Sequence, residues 1–191
     1  MNKPVLVILA TLTLGGLLAY PGLSQNPPRQ TMSSHEGWRY PQSENYRTSF
    51  LPAEQGTLVE GLRPGPQDFT TLVRSVQPGP YHGRIRLSGQ IRSEGLEGWA
   101  GLWMRVDGPA NKVLGFDNMQ ERAIQGTTPW RNYSVVLEVP PEAENISLGF
   151  LLSGQGKAWV RNIKYEKVEA SVPSTDSQPK FHDLPQNLEL K

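Results

Sequence analysis

GRIRLSGQIRSEGLEGWAGLWMRVD, residues 83–107, decides the fold. In its first part Gly83, Ile85, Leu87, Gly89 and Ile91 fall on one side of an extended chain, with Arg84, Arg86, Ser88, Gln90 and Arg92 on the other. In its second part Ala100, Leu102, Met104 and Val106 alternate with Gly101, Trp103, Arg105 and Asp107. Alternation with a period of two marks strands that bury one face and solvate the other. The spacing predicts strands at 83–92 and 99–106, separated by a Gly-rich hairpin loop that carries Glu94 and Glu97.

Working outward, the same reading places strands at 46–51, 58–61, 69–76, 113–117, 133–139, 146–153 and 158–168. Turns bearing Gly or Pro punctuate them: Pro64-Gly65-Pro66, Pro78-Gly79-Pro80, Asp107-Gly108-Pro109, Pro140-Pro141 and Gly154-Gln155-Gly156. Short strands at this density, without an amphipathic helix of useful length, predict an all-β protein, an antiparallel sandwich or barrel in a single domain. The segment 25–36 is polar and Pro-bearing and reads as a disordered leader, with the domain over 37–168. Beyond Val168 the chain turns Pro- and Ser-rich and reads as a linker over 169–183. In the last segment, 184–191, Leu188 and Leu190 stand two apart, the spacing of an edge strand or the accident of a frayed tail.

The N-terminus predicts export. Lys3 precedes an apolar run over 5–19, Pro21 and Gly22 break it, and small residues at Gly22 and Ser24 suit cleavage after Ser24, making 1–24 a signal peptide. The run is shorter than the roughly 20 apolar residues of a membrane span. The alternative is an uncleaved membrane anchor that counts Leu23 in. There is no cysteine, so neither a lipoprotein anchor nor disulfides are available, and an exported domain of this kind must rest on its packed core. That fits the bacterial periplasm or a secreted protein. With 19 basic and 18 acidic residues and no long block of one sign, nucleic acid is not an expected partner.

The stretch 87–168 resembles a jelly-roll, galactose-binding-like domain, akin to carbohydrate-binding modules and found in bacterial proteins loosely labelled transcriptional regulators. The matching points are AGLWMRVDG (100–108), FDNM (116–119), GTTPW (126–130), VVLEVP (135–140), LLSGQGKAWV (151–160) and the closing IKYEKV. The resemblance implies a jelly-roll β-sandwich and a binding module more than an enzyme. It also implies that Asn187-Leu188-Glu189-Leu190, a degraded copy of a strand-forming segment of such domains, docks as a strand. Sugar-binding relatives carry an Asp pair where this chain has Arg161-Asn162. An arginine removes an oxygen ligand and adds a repelling charge, so no calcium is expected there.

If Ala100, Leu102, Met104 and Val106 form the core stripe, Trp99, Trp103, Arg105 and Asp107 are left on the opposite side, with Asp117 and Asn118 just beyond the next strand. Aromatic rings stack on sugar rings, and Arg and Asp forks bond hydroxyls. These six are the candidate ligand-binding residues. The competing reading packs the tryptophans under a loop and pairs Arg105 with an acidic neighbour. Trp130 reads as a plug at one end of the sandwich, Trp159 as core, and Trp38 as packing near the chain entry.

Chemistry is poorly represented. His35, His82 and His182 fall in the leader, a turn and the tail, without carboxylates at ligand spacing. Glu94/Glu97 and Asp107/Asp117 are formal carboxylate pairs for glycoside hydrolysis, but the first sits in a loop where solvation explains it. Gly154-Gln155-Gly156-Lys157 lacks a following helix and reads as a hairpin turn, not a phosphate loop. No cofactor and no metal are expected. The sequence thus reads as an exported, non-catalytic binding module for carbohydrate or a small polar ligand. The alternative is an envelope scaffold with a protein partner, tethered if the N-terminal segment stays, and binding through a sheet edge or the tail strand.

Overall fold

A computed structural model describes residues 32–41 and 43–176. Among these the chain forms ten strands: β1 Met32–His35, β2 Trp38–Pro41, β3 Tyr46–Leu51, β4 Gly56–Gly61, β5 Phe69–Val76, β6 Gly83–Asp107, β7 Val113–Asp117, β8 Ile124–Val139, β9 Asn145–Ser153 and β10 Gly156–Val168. Between them lie only single turns of 3-10 helix among the described residues, and every strand pairing is antiparallel.

The 25-residue strand β6 organises the molecule. Its first part pairs with β10 on one side and β8 on the other, within a sheet ordered β3-β4-β10-β6-β8. Its last part, from Trp99, pairs with β9 and β7, within a second sheet ordered β1-β2-β5-β9-β6-β7. The two predicted strands are therefore one, and Glu94 and Glu97 stand in no hairpin loop. The chain turns the corner through register shifts against β8, where Ser93 opposes Thr128, Leu96 opposes Gly126 and Ala100 opposes Ile124. Extra residues of this kind bend a strand and re-aim its side chains. The inward set moves from odd positions (Ile85, Leu87, Ile91) to even ones (Ala100, Leu102, Met104, Val106), all buried.

The core lies between the sheets. From the first come Val59, Ile85, Leu87, Ile91, Val135, Leu137, Ala158 and Val160; from the second, Leu72, Leu102, Met104, Ile146, Leu148, Phe150 and Leu152. Burying one such leucine or phenylalanine contributes about 1.5–3 kcal/mol, so this shared interior is the main source of stability in a chain without disulfides.

Two stretches are more structured than the sequence predicts. Met32–His35, inside the segment read as disordered leader, pairs with Trp38–Pro41 through Glu36 and Gly37, both at positive φ (48° and 80°). That is the backbone twist a two-residue hairpin turn requires. Residues 169–176, read as linker, strap across the edge of β8. Thr175 N donates to Val136 O at 2.8 Å, Val136 N donates to Thr175 Oγ1 at 2.9 Å, and Phe116 N donates to the Asp176 carboxylate at 3.1 Å. Arg84 anchors the strap from below by donating to the carbonyls of Ala170 and Val172. The signal peptide expected at 1–24 and the docking strand expected at 184–191 fall outside the described residues.

Candidate functional site

The six residues singled out on the second sheet do not share one open face. Trp103 points away from the core but is only 7% exposed. Its indole lies across Gly149, directly opposite on β9, and Nε1 donates to Thr71 Oγ1 at 2.7 Å on the strand beyond. A Cβ at position 149 would stand 2.8 Å from Trp103 Nε1 and collide with the Leu72 carbonyl. The glycine makes the room the ring occupies. Trp99 is half-buried opposite Ser153. Arg105 and Asp107 pair with each other, Nε to Oδ1 at 2.9 Å, and the carboxylate is 6% exposed.

Asp117 opposes Met104 in the β6–β7 register, and directly opposed residues share a face, so it points to the core side, away from Trp103 and Arg105. It is 1% exposed and fully engaged: Met119 N donates to Oδ1 at 2.8 Å, and Arg122 reaches both oxygens, at 3.1 and 2.5 Å. Asn118 Oδ1 accepts the Gln120 N–H and shapes the loop. Trp103, Asp117 and Asn118 thus serve the packing and the loops, Arg105 and Asp107 satisfy each other, and Asp117 is removed from their face because the β7 register turns it inward.

A second aromatic group lies on the other sheet, with Trp130 half-buried and Trp159 7% exposed. Trp159 opposes Arg92 across β10 and β6, while its neighbours Ala158 and Val160 face inward. It is buried, as expected, but on the outer side of the sheet beneath Arg92 rather than between the two sheets. The Arg92 guanidinium carbon lies 3.8 Å from the Trp159 ring centroid and 5.5 Å from that of Trp130 on β8. Arg161 lies 4.1 Å over the Trp130 ring, so Trp130 belongs to this surface and does not plug an end of the sandwich. Such stacks of guanidinium on indole are each worth about 0.5–2 kcal/mol. Arg161 Nε donates to Gln90 Oε1 at 2.9 Å, and Asn162 Nδ2 donates to the same oxygen at 3.2 Å. Asn162 sits at φ 52° in a bulge of β10, after which Lys164 and Glu166 return to the outer face opposite Ser88 and Arg86.

Across three strands, the rows Ser134–Ser88–Lys164 and Asn132–Gln90–Arg161 lie beside the Trp130–Arg92–Trp159 group. Ion pairs flank this surface. Arg84 binds Glu138, Nε to Oε1 at 2.6 Å; Arg86 and Lys164 both bind Glu166, at 2.7 and 2.5 Å. Hydrogen bonds from Lys164 and then Arg86 hold the Glu166 carboxyl below its ordinary range.

A groove of about 560 Å³ opens beside β3, lined by Tyr40, Glu44, Tyr46, Arg47 and Arg63 among others. Tyr46 is already committed, donating to Asp68 O at 2.7 Å and accepting from Gly154 N at 3.3 Å. Burial, helped by the nearby Asp68 charge, pushes its phenol up to about 12 against the lowering effect of the Gly154 N–H. Among the described residues no group of His, Cys, Asp or Glu side chains is arranged to hold a metal ion, and no helix is long and apolar enough to cross a membrane.

No family model matches the chain. An uncharacterized HTH-type transcriptional regulator, YbfP of Bacillus subtilis (strain 168), is 42% identical over 140 residues, covering 72% of this chain and 46% of that protein. The chain thus spans about half the length of the curated relative it matches. Among solved structures, the CBM22-1 xylan-binding domain of Paenibacillus barcinonensis Xyn10C superposes with a TM-score of 0.50 at 12% identity, covering 74% of this chain and 97% of that one. The enzymatically active domain of the bacteriophage CBA120 tailspike protein 4 gives 0.51 at 13% identity, covering 70% of this chain and 20% of that one. The described residues fold as an antiparallel jelly-roll β-sandwich, the architecture of carbohydrate-binding modules.

Proposed function

We propose that this chain is a non-catalytic module that binds carbohydrate on the outer face of the β3-β4-β10-β6-β8 sheet. The observation that carries the reading is the group formed by Trp130, Arg92, Trp159, Arg161 and Gln90, where the half-buried Trp130 ring, two guanidinium groups and an amide converge above a covered Trp159. Sugar sites combine an apolar ring face with a few placed polar groups, and this surface offers both. The architecture shared with a xylan-binding domain supports the ligand class. Paired and buried carboxylates, Asp117 with Arg122 and Asp107 with Arg105, support a non-catalytic role, since a glycosidase needs two carboxyl groups open to the scissile bond.

Titration calorimetry of the protein with soluble oligosaccharides tests the reading. The expected result is saturable binding that falls on the order of tenfold in Trp130→Ala, through loss of stacking, while Trp103→Phe keeps wild-type affinity. Absence of saccharide binding, or affinity unmoved by Trp130→Ala, overturns it.

Export completes the proposal: residues 1–24 direct the chain out of the cytoplasm and are removed. Mass spectrometry of the cellular protein is expected to find Gln25 at the mature N-terminus. A retained Met1 favours a tethered form instead.

A further inference from the structure

We infer that the saccharide carries a carboxylate, as a uronic acid does, and that Arg161 is the residue that binds it. The inference rests on the carbohydrate reading and narrows it to acidic sugars. Alternation along β6 and β10 brings Arg84, Arg86, Arg92 and Arg161 to the same outer face. Their partners differ. Arg84 is satisfied by Glu138 and two strap carbonyls, and Arg86 by Glu166. Arg92 lies against Trp159 with Glu54 at 3.7 Å, beyond hydrogen-bond range. Arg161 has no carboxylate within ion-pair distance among the described residues; its polar partner there is the Gln90 amide oxygen.

That arrangement leaves a cation oriented and unneutralised. Gln90 holds Nε and the Trp130 ring lies 4.1 Å from the guanidinium carbon, which leaves both terminal nitrogens without a partner among the described residues. A guanidinium presented this way pairs with the two oxygens of a carboxylate, and holding it beforehand reduces the entropy lost on binding. Around it the sheet supplies neutral hydrogen-bonding groups: Asn132 opposite Gln90, and Ser88 opposite Ser134. These suit the hydroxyls of the same sugar. No carboxylate occurs in the rows Ser134–Ser88–Lys164 and Asn132–Gln90–Arg161, so nothing in them repels an acidic ring. A neutral glycan would leave the Arg161 charge without a counterpart in the complex.

The test is calorimetry at low salt with three probes: a galacturonate oligosaccharide, a neutral galactose oligosaccharide of the same length, and a sulfated galactan oligosaccharide. Galacturonate is expected to bind on the order of tenfold to a hundredfold more tightly than the neutral sugar, the range of a charge-assisted hydrogen bond. In Arg161→Gln the ratio of acidic to neutral affinity should fall to about one, whatever happens to the neutral affinity itself, and Arg161→Lys should retain part of the ratio. Equal wild-type affinities for acidic and neutral sugars, or a preference untouched by Arg161→Gln, overturn the inference and leave the carbohydrate reading standing. Sulfated sugar binding as tightly as galacturonate overturns the carboxylate assignment. Failure of all three probes to bind overturns the carbohydrate reading, and this inference with it. The acid-to-neutral ratio of the wild-type protein decides the matter even if a variant does not fold.

Discussion

Arg92 stacks on Trp159, its directly opposed residue on the neighbouring strand, with the guanidinium carbon 3.8 Å from the ring centroid. Arg92 Nε is buried there and meets no acceptor among the described residues. The ring face therefore compensates for the water this part of the guanidinium gives up, and the arginine stem covers the indole. Arg92→Ala is expected to lower stability by about 1–2 kcal/mol, from lost packing and the cation–π contact. Denaturant unfolding of the variant measures it. Arg92→Lys should recover only part, because an ammonium cannot lie flat on the ring.

Gly149 and Trp103 make a second matched pair. Gly149→Val places side-chain atoms where the indole and the Leu72 carbonyl already are, and overpacking of this kind costs about 1–3 kcal/mol or more. Thr71→Val removes the acceptor of Trp103 Nε1 and should cost about 1–3 kcal/mol for the buried donor left unpaired. Iodide quenching of single-tryptophan variants should find Trp130 accessible and Trp103 protected; a quenchable Trp103 would contradict its placement.

Tyr46 sets an alkaline limit. Its phenol titrates near 10.0 in an unfolded chain and at about 12 in the fold. A raised folded pKa means that the folded state holds the proton more tightly. The stabilising contribution is whole below pH 10.0, declines through the interval up to about 12, and is absent above it. Unfolding free energies measured from about pH 9 to about pH 12 should fall with this profile. Tyr46→Phe should be less stable at neutral pH, and its decline over the same interval should be shallower.

The strap at 169–176 protects the edge of β8. Ending the chain at Val168 removes the partners of Val136 N and Val136 O and two acceptors of Arg84. Hydrogen exchange at the Val136 amide is expected to rise by orders of magnitude relative to that of Leu137, as for any strand edge opened to water. Equal protection in the two proteins would show that the strap does not hold the edge.

Much of the sandwich is legible from alternation alone, because the inward residues of β9 and of both parts of β6 follow a period of two. The corner of β6 is marked as well: the apolar parity changes from odd at Ile91 to even at Ala100, and 93–98 carries none of the paired turn residues a tight hairpin needs. Reading it as a bulge requires knowing that both parts share partners, which local pattern does not contain. The same limit hid the group around Trp130 and Trp159. Trp159 takes its side from Ala158 and Val160, and the bulge at Asn162 breaks the rhythm toward Ile163, so counting onward from Trp159 assigns it to the core. Proximity in sequence groups Asp117 with Arg105, whereas the β6–β7 register sets it against Met104 and the opposite side of the sheet. The Trp130–Arg161 contact joins strands that are not neighbours in the sheet order, and no spacing in one strand announces it.

Because β6 is a full member of both layers, neither layer can melt while the other persists: one strand would have to be ordered along half its length and free along the rest, with the interior of both halves laid open. The molecule therefore loses its structure in one all-or-none step. Scanning calorimetry of residues 32–176 should give a single endotherm whose calorimetric and van't Hoff enthalpies agree.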